Sequence, residues 1–167
     1  SRGEWIVHVR HGVGQIAGMD TKELAGQKQD FYLVDTGEMK YWLPVTEADS
    51  GRVRRIAPPE RFDEAAAVMG GKPEKLDDNS RRRLLYIEAM RQDGKLLTRA
   101  QIIRDLHARS YQKYIHVNEK RILENLQDQL AAEWAAACGI EEQAARKRMR
   151  AALEKSCTGL KPKKPML

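Results

Sequence analysis

The residue pattern changes at Pro58-Pro59, and no other feature limits the possible folds of this chain as strongly. Before the two prolines, short runs of aromatic and β-branched residues alternate with glycine-containing turns. After them, apolar residues recur at the three- and four-residue spacing of amphipathic helices. The sequence therefore predicts the α+β class with two domains, a β domain over residues 1–57 and an all-α domain over residues 58–158.

The part before the prolines is expected to contain four or five short antiparallel strands. They are predicted at Trp5–Val9, Gln15–Met19, Asp30–Asp35, Met39–Val45 and Arg52–Ile56. Several short strands in so short a segment indicate a small barrel with a limited core. Because such a barrel leaves at least one strand edge open, a strand of a partner protein could add to it.

Five helices are expected after the prolines. They are predicted at about Glu60–Met69, Ser80–Gln92, Thr98–Ala108, Asn118–Cys138 and Glu141–Ser156. Thr98 and Asn118 have side chains typical of helix N-caps. Glu119, Glu124 and Glu133 are most simply assigned to a solvated helix face. Residues 159–167, which are rich in lysine and proline, are expected to form a flexible basic tail.

The excess positive charge of the chain is confined to its helical half. The whole chain carries +6, yet residues 1–57 contain 8 basic and 8 acidic residues, and residues 58–167 contain 22 and 16. The second helix begins with Arg81–Arg83, where the helix dipole disfavours cations unless an anion is bound. Such a cluster could contact the phosphates of a nucleic acid, or salt bridges and solvent could balance its charge. Charge alone does not decide between these two interpretations.

No pattern typical of catalysis or cofactor binding occurs in the sequence. Both Gly-Lys pairs lack the Ser or Thr that a P-loop requires, and there is neither a GxSxG nor an HExxH segment. His8 and His11 have the spacing of metal ligands, but they fall on a strand and a turn without clustered Cys or carboxylates. An ordinary surface or turn role is therefore expected for both histidines. The chain is predicted to be non-enzymatic, with no cofactor and no metal.

The apolar runs and the cysteines favour a cytoplasmic protein. The longest strongly apolar run, residues 131–138, is far shorter than the roughly 20 residues of a membrane-spanning helix, so no membrane partner is expected. The two cysteines, Cys138 and Cys157, do not form a CxxC pair. A chain without a disulfide framework is more typical of a reducing cytosol than of a secreted domain.

Several segments in both halves resemble the CarD family of bacterial transcription regulators. In the β half, the resemblance to the RNA-polymerase-interacting domain rests on Val7–Ile16, Thr21–Lys28, Phe31-Tyr32 and Leu43–Val45. In the helical half, it rests on Ser80–Arg82, Ile103–Leu106 and Asn118–Leu123, which follow in the family's order. Transcription-repair coupling factors share the first domain, but the helicase motifs of those proteins are absent. The resemblance therefore favours the CarD/CdnL type.

This resemblance implies a function without bond making or breaking. It implies a Tudor-like barrel that pairs with the β subunit of bacterial RNA polymerase, largely by strand addition. It also implies a helical domain that grips promoter DNA near the upstream edge of the melted bubble. The expected result is a longer-lived open complex or a changed rate of promoter escape. The protein is expected to be a monomer when free and to associate with the nucleoid through polymerase.

The resemblance also implies residues that contact polymerase. The expected contacts are Thr21, Lys22, Tyr41 and Trp42. Lys22 occupies a position where the family often has a basic polymerase contact. Trp42 occupies an interface position where other members carry Arg, so a charge-assisted bond would be replaced by aromatic packing. Alternatively, Trp42 belongs to the core of the barrel or to a small satellite cluster.

A second set of residues is expected to contact DNA. It consists of Asn79, Ser80, Arg81, Arg82, Lys113, Lys120 and Arg121. Many family members have a Trp in place of Asn79, where the indole acts as a wedge against the opened minor groove. Asn79 can contact a base edge or simply cap the helix, but it cannot wedge as an indole does. An alternative function is therefore a polymerase-binding adaptor or negative regulator with weak DNA contact.

Overall fold

The structure, a computed structural model, describes residues 1–166 and divides them into two compact units. The first unit, here called the β unit, comprises Ser1–Ile56 with Gln92–Gly94. The second, the helical unit, comprises Ala57–Arg91 and the chain from Lys95 onward. A β sheet followed by helices confirms the predicted α+β class. Within the described part of the chain, no helix is both long enough and apolar enough for a membrane span.

The β unit is a single antiparallel sheet of five strands. The strands are β1 (Trp5–His8), β2 (Gly12–Leu24), β3 (Gln27–Asp35), β4 (Lys40–Pro44) and β5 (Val53–Arg55), and a 3-10 helix spans Val45–Asp49. Their order across the sheet is β4-β3-β2-β1-β5. The strands β4 and β5 are therefore edges, and the sheet is open where the sequence indicated a barrel.

The hairpin of β2 and β3 is much longer than the sequence predicted. Its strands pair from Gln15 with Asp35 to Leu24 with Gln27, with a bulge after Ile16. The two turn residues both have positive φ, 52° at Ala25 and 80° at Gly26. Two positive φ angles are typical of the type I′ turn, which usually carries Asn-Gly or Asp-Gly. Because Ala25 is unusual in this conformation, the turn was not visible in the sequence.

One face of the sheet carries the core of the β unit. This core consists of Ile6, Ile16, Val34 and Leu43, with Tyr32, Tyr41 and Val53 packed against it. Gly14 allows β2 and β3 to approach, because a Cβ atom there would lie 2.5 Å from Cγ1 of Val34. The opposite face of the sheet is covered in part, because Val7 and Phe31 on that face are buried at 2% and 7% exposure.

The helical unit contains five helices that begin close to their predicted positions. They are α1 (Arg61–Met69), α2 (Ser80–Arg91), α3 (Leu96–Gln112), α4 (Val117–Cys138) and α5 (Glu142–Ser156). The predicted caps Thr98 and Asn118 were wrong, because both residues lie inside the first turn of their helices. The N-cap of α3 is Lys95 and that of α4 is His116. The amide of His116 donates to Oε2 of Glu119 at 3.0 Å, which satisfies one free donor at this helix end.

The core of the helical unit forms around α3, which packs against the other four helices. Leu96, Ala100, Ile103 and Leu106 of α3 are buried at the spacing of one helix face. Around them lie residues of the other helices, including Phe62 and Trp134, whose rings stack with centroids 5.6 Å apart. This is the larger of the two cores.

Two parts of the helical unit differ from their simplest interpretation. Of the three glutamates assigned to a solvated face, Glu124 is exposed, but Glu119 and Glu133 are buried at 2% and 0% exposure, so the prediction was wrong for these two. Buried carboxylates need hydrogen-bond partners, and Oε2 of Glu133 accepts the amide of Ala57 at 2.9 Å. Residues 160–166, expected to be flexible, have no regular secondary structure but form hydrogen bonds to the end of α3. Leu167 lies outside the described residues.

Candidate binding surfaces

The face of the sheet opposite its core carries an aromatic and basic patch beside the edge strand β4. Trp42 pairs with Leu33, which shares a face with Phe31 because residues two apart along a strand point to the same side. Lys22 pairs with Gln29, which is two residues from Phe31, so Lys22 lies on that face as well. Nζ of Lys22 is 3.8 Å from the ring centroid of Trp42 and 5.9 Å from that of Phe31. Such a distance is typical of a cation–π contact. Phe31 is buried at 7% exposure, so only Lys22 and Trp42 are accessible. We call Lys22, Phe31 and Trp42 the β4 patch.

The position of Trp42 in the structure bears on whether it contacts a partner or belongs to the core. The side chain is 40% exposed and does not belong to the buried cluster of the β unit. Lys22 is half-buried against it, so the indole and the ammonium group form one preformed surface. Trp42 is thus a surface residue on an edge strand, which fits a partner contact better than a core role.

The other two residues expected to contact polymerase do not join this patch. The ring of Tyr41 packs on that of His11, with centroids 4.5 Å apart, on the core side of the sheet. Its hydroxyl is buried without a hydrogen-bond partner among residues 1–166, and burial raises the pKa of Tyr41 to about 12. Thr21 lies on that same side and donates from Oγ1 to Oδ1 of Asp30 at 2.6 Å. The structure therefore joins only Lys22 and Trp42.

His8 organises the turn between β1 and β2. Its Nδ1 accepts the amides of Arg10 at 3.0 Å and His11 at 3.3 Å. Burial of the ring, which disfavours the charged form, lowers the pKa of His8 to about 4, and the nearby His11 contributes. A neutral His8 can accept both amides, whereas the imidazolium could not. The turn role expected for His8 is therefore visible in its contacts. Within the described part of the chain, no cluster of three or more His, Cys, Asp or Glu side chains suits a metal ion, at His8 and His11 or at any other place.

The residue at the wedge position caps α2. Oδ1 of Asn79 accepts the amide of Arg82 at 3.0 Å, and the amide of Asn79 donates to Oδ1 of Asp77 at 2.8 Å. Arg82 is held by the same aspartate, because its Nε donates to Oδ2 of Asp77 at 2.8 Å. Hydrogen bonding from Arg82 lowers the pKa of Asp77. Asn79 and Arg82 are thus both engaged within the chain, although their side chains are exposed.

The third arginine of the cluster points into the unit. Arg83, which is 3% exposed, donates from Nε to Oε1 of the equally buried Glu119 and from NH1 to the carbonyl of Asp77 at 2.7 Å. Burial raises the pKa of Glu119, but hydrogen bonds from Arg83 and the amide of His116 outweigh it, so the net shift is downward. This ion pair joins the beginning of α2 to the beginning of α4. No feature of the sequence distinguished Arg83 from its two neighbours.

A groove of about 480 Å³ lies where the beginnings of α2 and α4 meet. We call it the α2–α4 groove, and it is lined by Ser80, Arg81, Leu84, His116, Val117, Asn118 and Glu119. Arg81 is exposed and has no ion-pair partner in residues 1–166. The same holds for Lys120 and Arg121, which follow on α4. Amides at a helix N-terminus favour anions, so two such ends with three free cations can hold phosphate groups.

Lys113 belongs to a different cluster. Its Nζ lies 3.1 Å from Oδ1 of Asp78, which also contacts Arg109 at 3.3 Å, while Oδ2 contacts Lys75 at 3.2 Å. Hydrogen bonds from these cations, that of Lys113 above all, hold the pKa of Asp78 well below its usual range. Lys113 does not line the α2–α4 groove. Of the residues expected to contact DNA, the structure brings together Ser80 and Arg81 with the beginning of α4.

Comparison with known proteins gives a CarD-related family model for each half of the chain. The family model described as "CarD-like/TRCF RID domain" matches residues 1–57, and the model described as "CarD, C-terminal domain" matches residues 64–150. A Bacillus subtilis protein named "Putative transcription factor YdeB" is 24% identical over 143 residues. The aligned region covers 84% of this chain and 93% of that protein.

Proposed function

Because the chain belongs to the CarD family of RNA-polymerase-interacting transcription regulators, we propose that it binds the polymerase β subunit and promoter DNA at once. In this proposal the β unit holds polymerase and the helical unit holds the duplex near the melted region. The protein is a monomer when free. It changes the lifetime of the open complex and catalyses no reaction.

Binding to the β subunit is supported by the edge strand β4. This strand pairs only with β3, so one row of its backbone donors and acceptors is free to join a strand of the partner. Beside this edge, Lys22 stacks on Trp42 and presents an exposed surface that is both aromatic and cationic. Tyr and Trp side chains of this kind are enriched where protein interfaces concentrate their binding energy.

Binding to promoter DNA is supported above all by the convergence of two helix beginnings with unpaired cations. Arg81 lines the α2–α4 groove, and Lys120 and Arg121 lie in the first turns of α4. Among residues 1–166, no carboxylate is paired with these three cations, so none has to be released before they meet a phosphate. Arg82 and Lys113, in contrast, must give up Asp77 and Asp78.

A second candidate function, a polymerase adaptor or negative regulator with weak DNA contact, is favoured by Asn79. Its side chain caps α2 and carries no apolar surface that could be inserted between bases. A protein that grips the duplex backbone without a wedge would stabilise melted DNA less than a family member with Trp at this position.

The two functions differ in their dependence on Arg81 and Lys120. The test compares the double variant Arg81→Ala/Lys120→Ala with Lys147→Ala/Arg148→Ala, which removes the same charge from the exposed face of α5. We expect the first variant alone to weaken promoter binding by the full chain. Its binding should also depend less on salt, with a slope smaller by about 2 when log affinity is plotted against log salt. Equal affinity and open-complex lifetime for both variants would leave only the adaptor function.

The polymerase contact is tested separately. Trp42→Ala is compared with Trp5→Ala, because Trp5 is a similarly exposed indole on another strand of the sheet. We expect Trp42→Ala to reduce co-elution with a fragment of the polymerase β subunit, while Trp5→Ala retains it. Unchanged co-elution of both variants would exclude the β4 patch as the interface.

A further inference from the structure

The helical unit has a second groove, larger than the α2–α4 groove and more basic. It has a volume of about 590 Å³ and lies between the α1–α2 connection, the end of α3 and residues 160–164. We call it the tail groove. Seven lysine and arginine side chains and two carboxylates take part in its lining. Its volume falls within the roughly 300–1,000 Å³ of small-molecule sites.

The outer wall of the groove is held in place by the end of α3. The amide of Lys163 donates to the carbonyl of Tyr111 at 2.7 Å, and its Nζ donates to the carbonyl of Ser110 at 2.8 Å. The hydroxyl of Tyr114 donates to the carbonyl of Lys164. Free carbonyls at a helix C-terminus repel anions, so these contacts also cover the negative end of α3.

The charge of the tail groove is unbalanced. Lys75, Arg109 and Lys113 share the single carboxylate of Asp78. Asp105, a carboxylate of the lining, is buried and already paired with Arg104 at 2.8 Å.

Three further cations lie on the rim of this groove. Lys72, Lys161 and Lys164 are exposed and have no ion-pair partner in the part of the chain that the structure describes. The groove therefore offers several positive charges at once to a ligand with clustered negative charge.

The inner wall of the groove is apolar. Leu76 and Ala108 are buried there, and Leu160 and Pro162 of the last segment face the same space. Inorganic phosphate would leave this wall unused. A ligand that combines several phosphates with a flat, partly apolar group fits both parts of the groove.

We propose that the tail groove binds a nucleoside polyphosphate. The phosphates lie against Lys72, Lys161 and Lys164, and the nucleoside packs on Leu76 and Leu160. This site is separate from the β4 patch and from the α2–α4 groove, although Lys113 belongs both to its lining and to the residues expected to contact DNA. A small anion bound there could therefore act on the helical unit.

The experiment is a calorimetric titration of the intact chain with ATP, GTP and inorganic tripolyphosphate. The variant Lys161→Ala/Lys164→Ala removes two rim charges but keeps the backbone contacts of the last segment, and Lys147→Ala/Arg148→Ala is the matched control on α5. We expect at least one nucleotide to bind with a Kd below about 1 mM and the rim variant to bind it about tenfold more weakly. The control should bind as the unchanged chain does. Leu160→Ala should weaken nucleotide binding and leave tripolyphosphate binding unchanged.

Three results would overturn the proposal. The first is the absence of nucleotide binding at millimolar concentration. The second is an equal loss in the rim and control variants, which would indicate general charge attraction. The third is tripolyphosphate binding as tightly as either nucleotide, which would remove the role of the apolar wall.

Discussion

Replacing Arg83 by alanine is expected to destabilise the helical unit strongly, while the same change at Arg82 should have little effect. The two residues are neighbours on α2 and both pair with a carboxylate. Arg83 and its partner Glu119 are buried, whereas the side chains of Arg82 and Asp77 are 71% and 38% exposed. Exposed ion pairs contribute little because water screens them. Burial, not the presence of a partner, decides the outcome.

The magnitude follows from what Arg83→Ala leaves behind. The carboxylate of Glu119, which is 2% exposed, would keep the amide of His116 but lose the guanidinium of Arg83. Removing one partner of a buried pair typically costs about 3–5 kcal/mol. That is a large part of the total stability of roughly 5–15 kcal/mol that domains possess. The carbonyl of Asp77 would also lose its donor.

The assay is urea unfolding of the full chain followed by the fluorescence of Trp134. Trp134 is buried in the helical unit, and Trp5→Phe with Trp42→Phe removes the indoles of the β unit. In this background we expect a much lower midpoint for Arg83→Ala and almost no change for Arg82→Ala. Equal midpoints for the two variants would refute the assignment of Arg83 to the interior.

The pH dependence gives a second check of the same ion pair. The pKa of Glu119 is lowered in the folded chain, so the pair contributes stability above the usual pKa of a glutamate and loses it as pH falls through the folded value. The difference between the unchanged chain and Arg83→Ala should therefore shrink in acid, where Glu119 takes up a proton. A difference that stays constant down to pH 3 would contradict this explanation.

Three further predictions concern other elements. His8 has a pKa of about 4 when folded, against a reference value of 6.5, so the β unit should lose stability as pH falls from about 6.5 to 4. The loss should be at most about 3 kcal/mol, because solvent screening reduces it. His8→Gln should reduce this pH dependence when urea unfolding is measured over a series of pH values. Ala25→Gly relieves a positive φ and should raise the free energy of unfolding of the β unit by about 0.5–1 kcal/mol; an unchanged or lower value would contradict the turn geometry. Asn79→Trp removes the cap of α2 at a cost of about 1 kcal/mol, yet it should lengthen the open-complex lifetime in a promoter challenge assay; an unchanged lifetime would place Asn79 away from the melted DNA.

The fold class and the number of helices could be predicted because hydrophobic period is a local property of the sequence. The strands β2 and β3 were predicted too short because their outer halves are polar and exposed from Thr21 to Asp30. Such segments carry no alternation of apolar residues, so only the pairing of the two strands defines them. The turn at Ala25 lacks the Asn-Gly or Asp-Gly pair that usually marks a two-residue hairpin turn in a sequence.

The contacts of charged residues could not be predicted for a different physical reason. Glu119 and Arg83 are 36 positions apart, and nothing in either local segment indicates that they meet. Glu133 likewise looks like one more charged residue of a long helix, although it is buried against the amide of Ala57. Pattern analysis assigns such residues to solvent by default, since charged groups are rarely buried without a partner.

Because these ion pairs are internal, fewer positive charges of the helical half are free to bind an anionic partner. Arg83 holds the unit together through the buried Glu119, whereas Arg82 and Lys113, at the end of α3, form exposed pairs with Asp77 and Asp78. What remains for DNA at the α2–α4 groove is a short row of unpaired cations. A grip of this kind depends on few phosphates and, with Asn79 as a cap, has no side chain to insert between bases. The same sequence segment thus fixes the beginning of α2 and, in the proposed function, limits how strongly the helical unit could hold melted DNA.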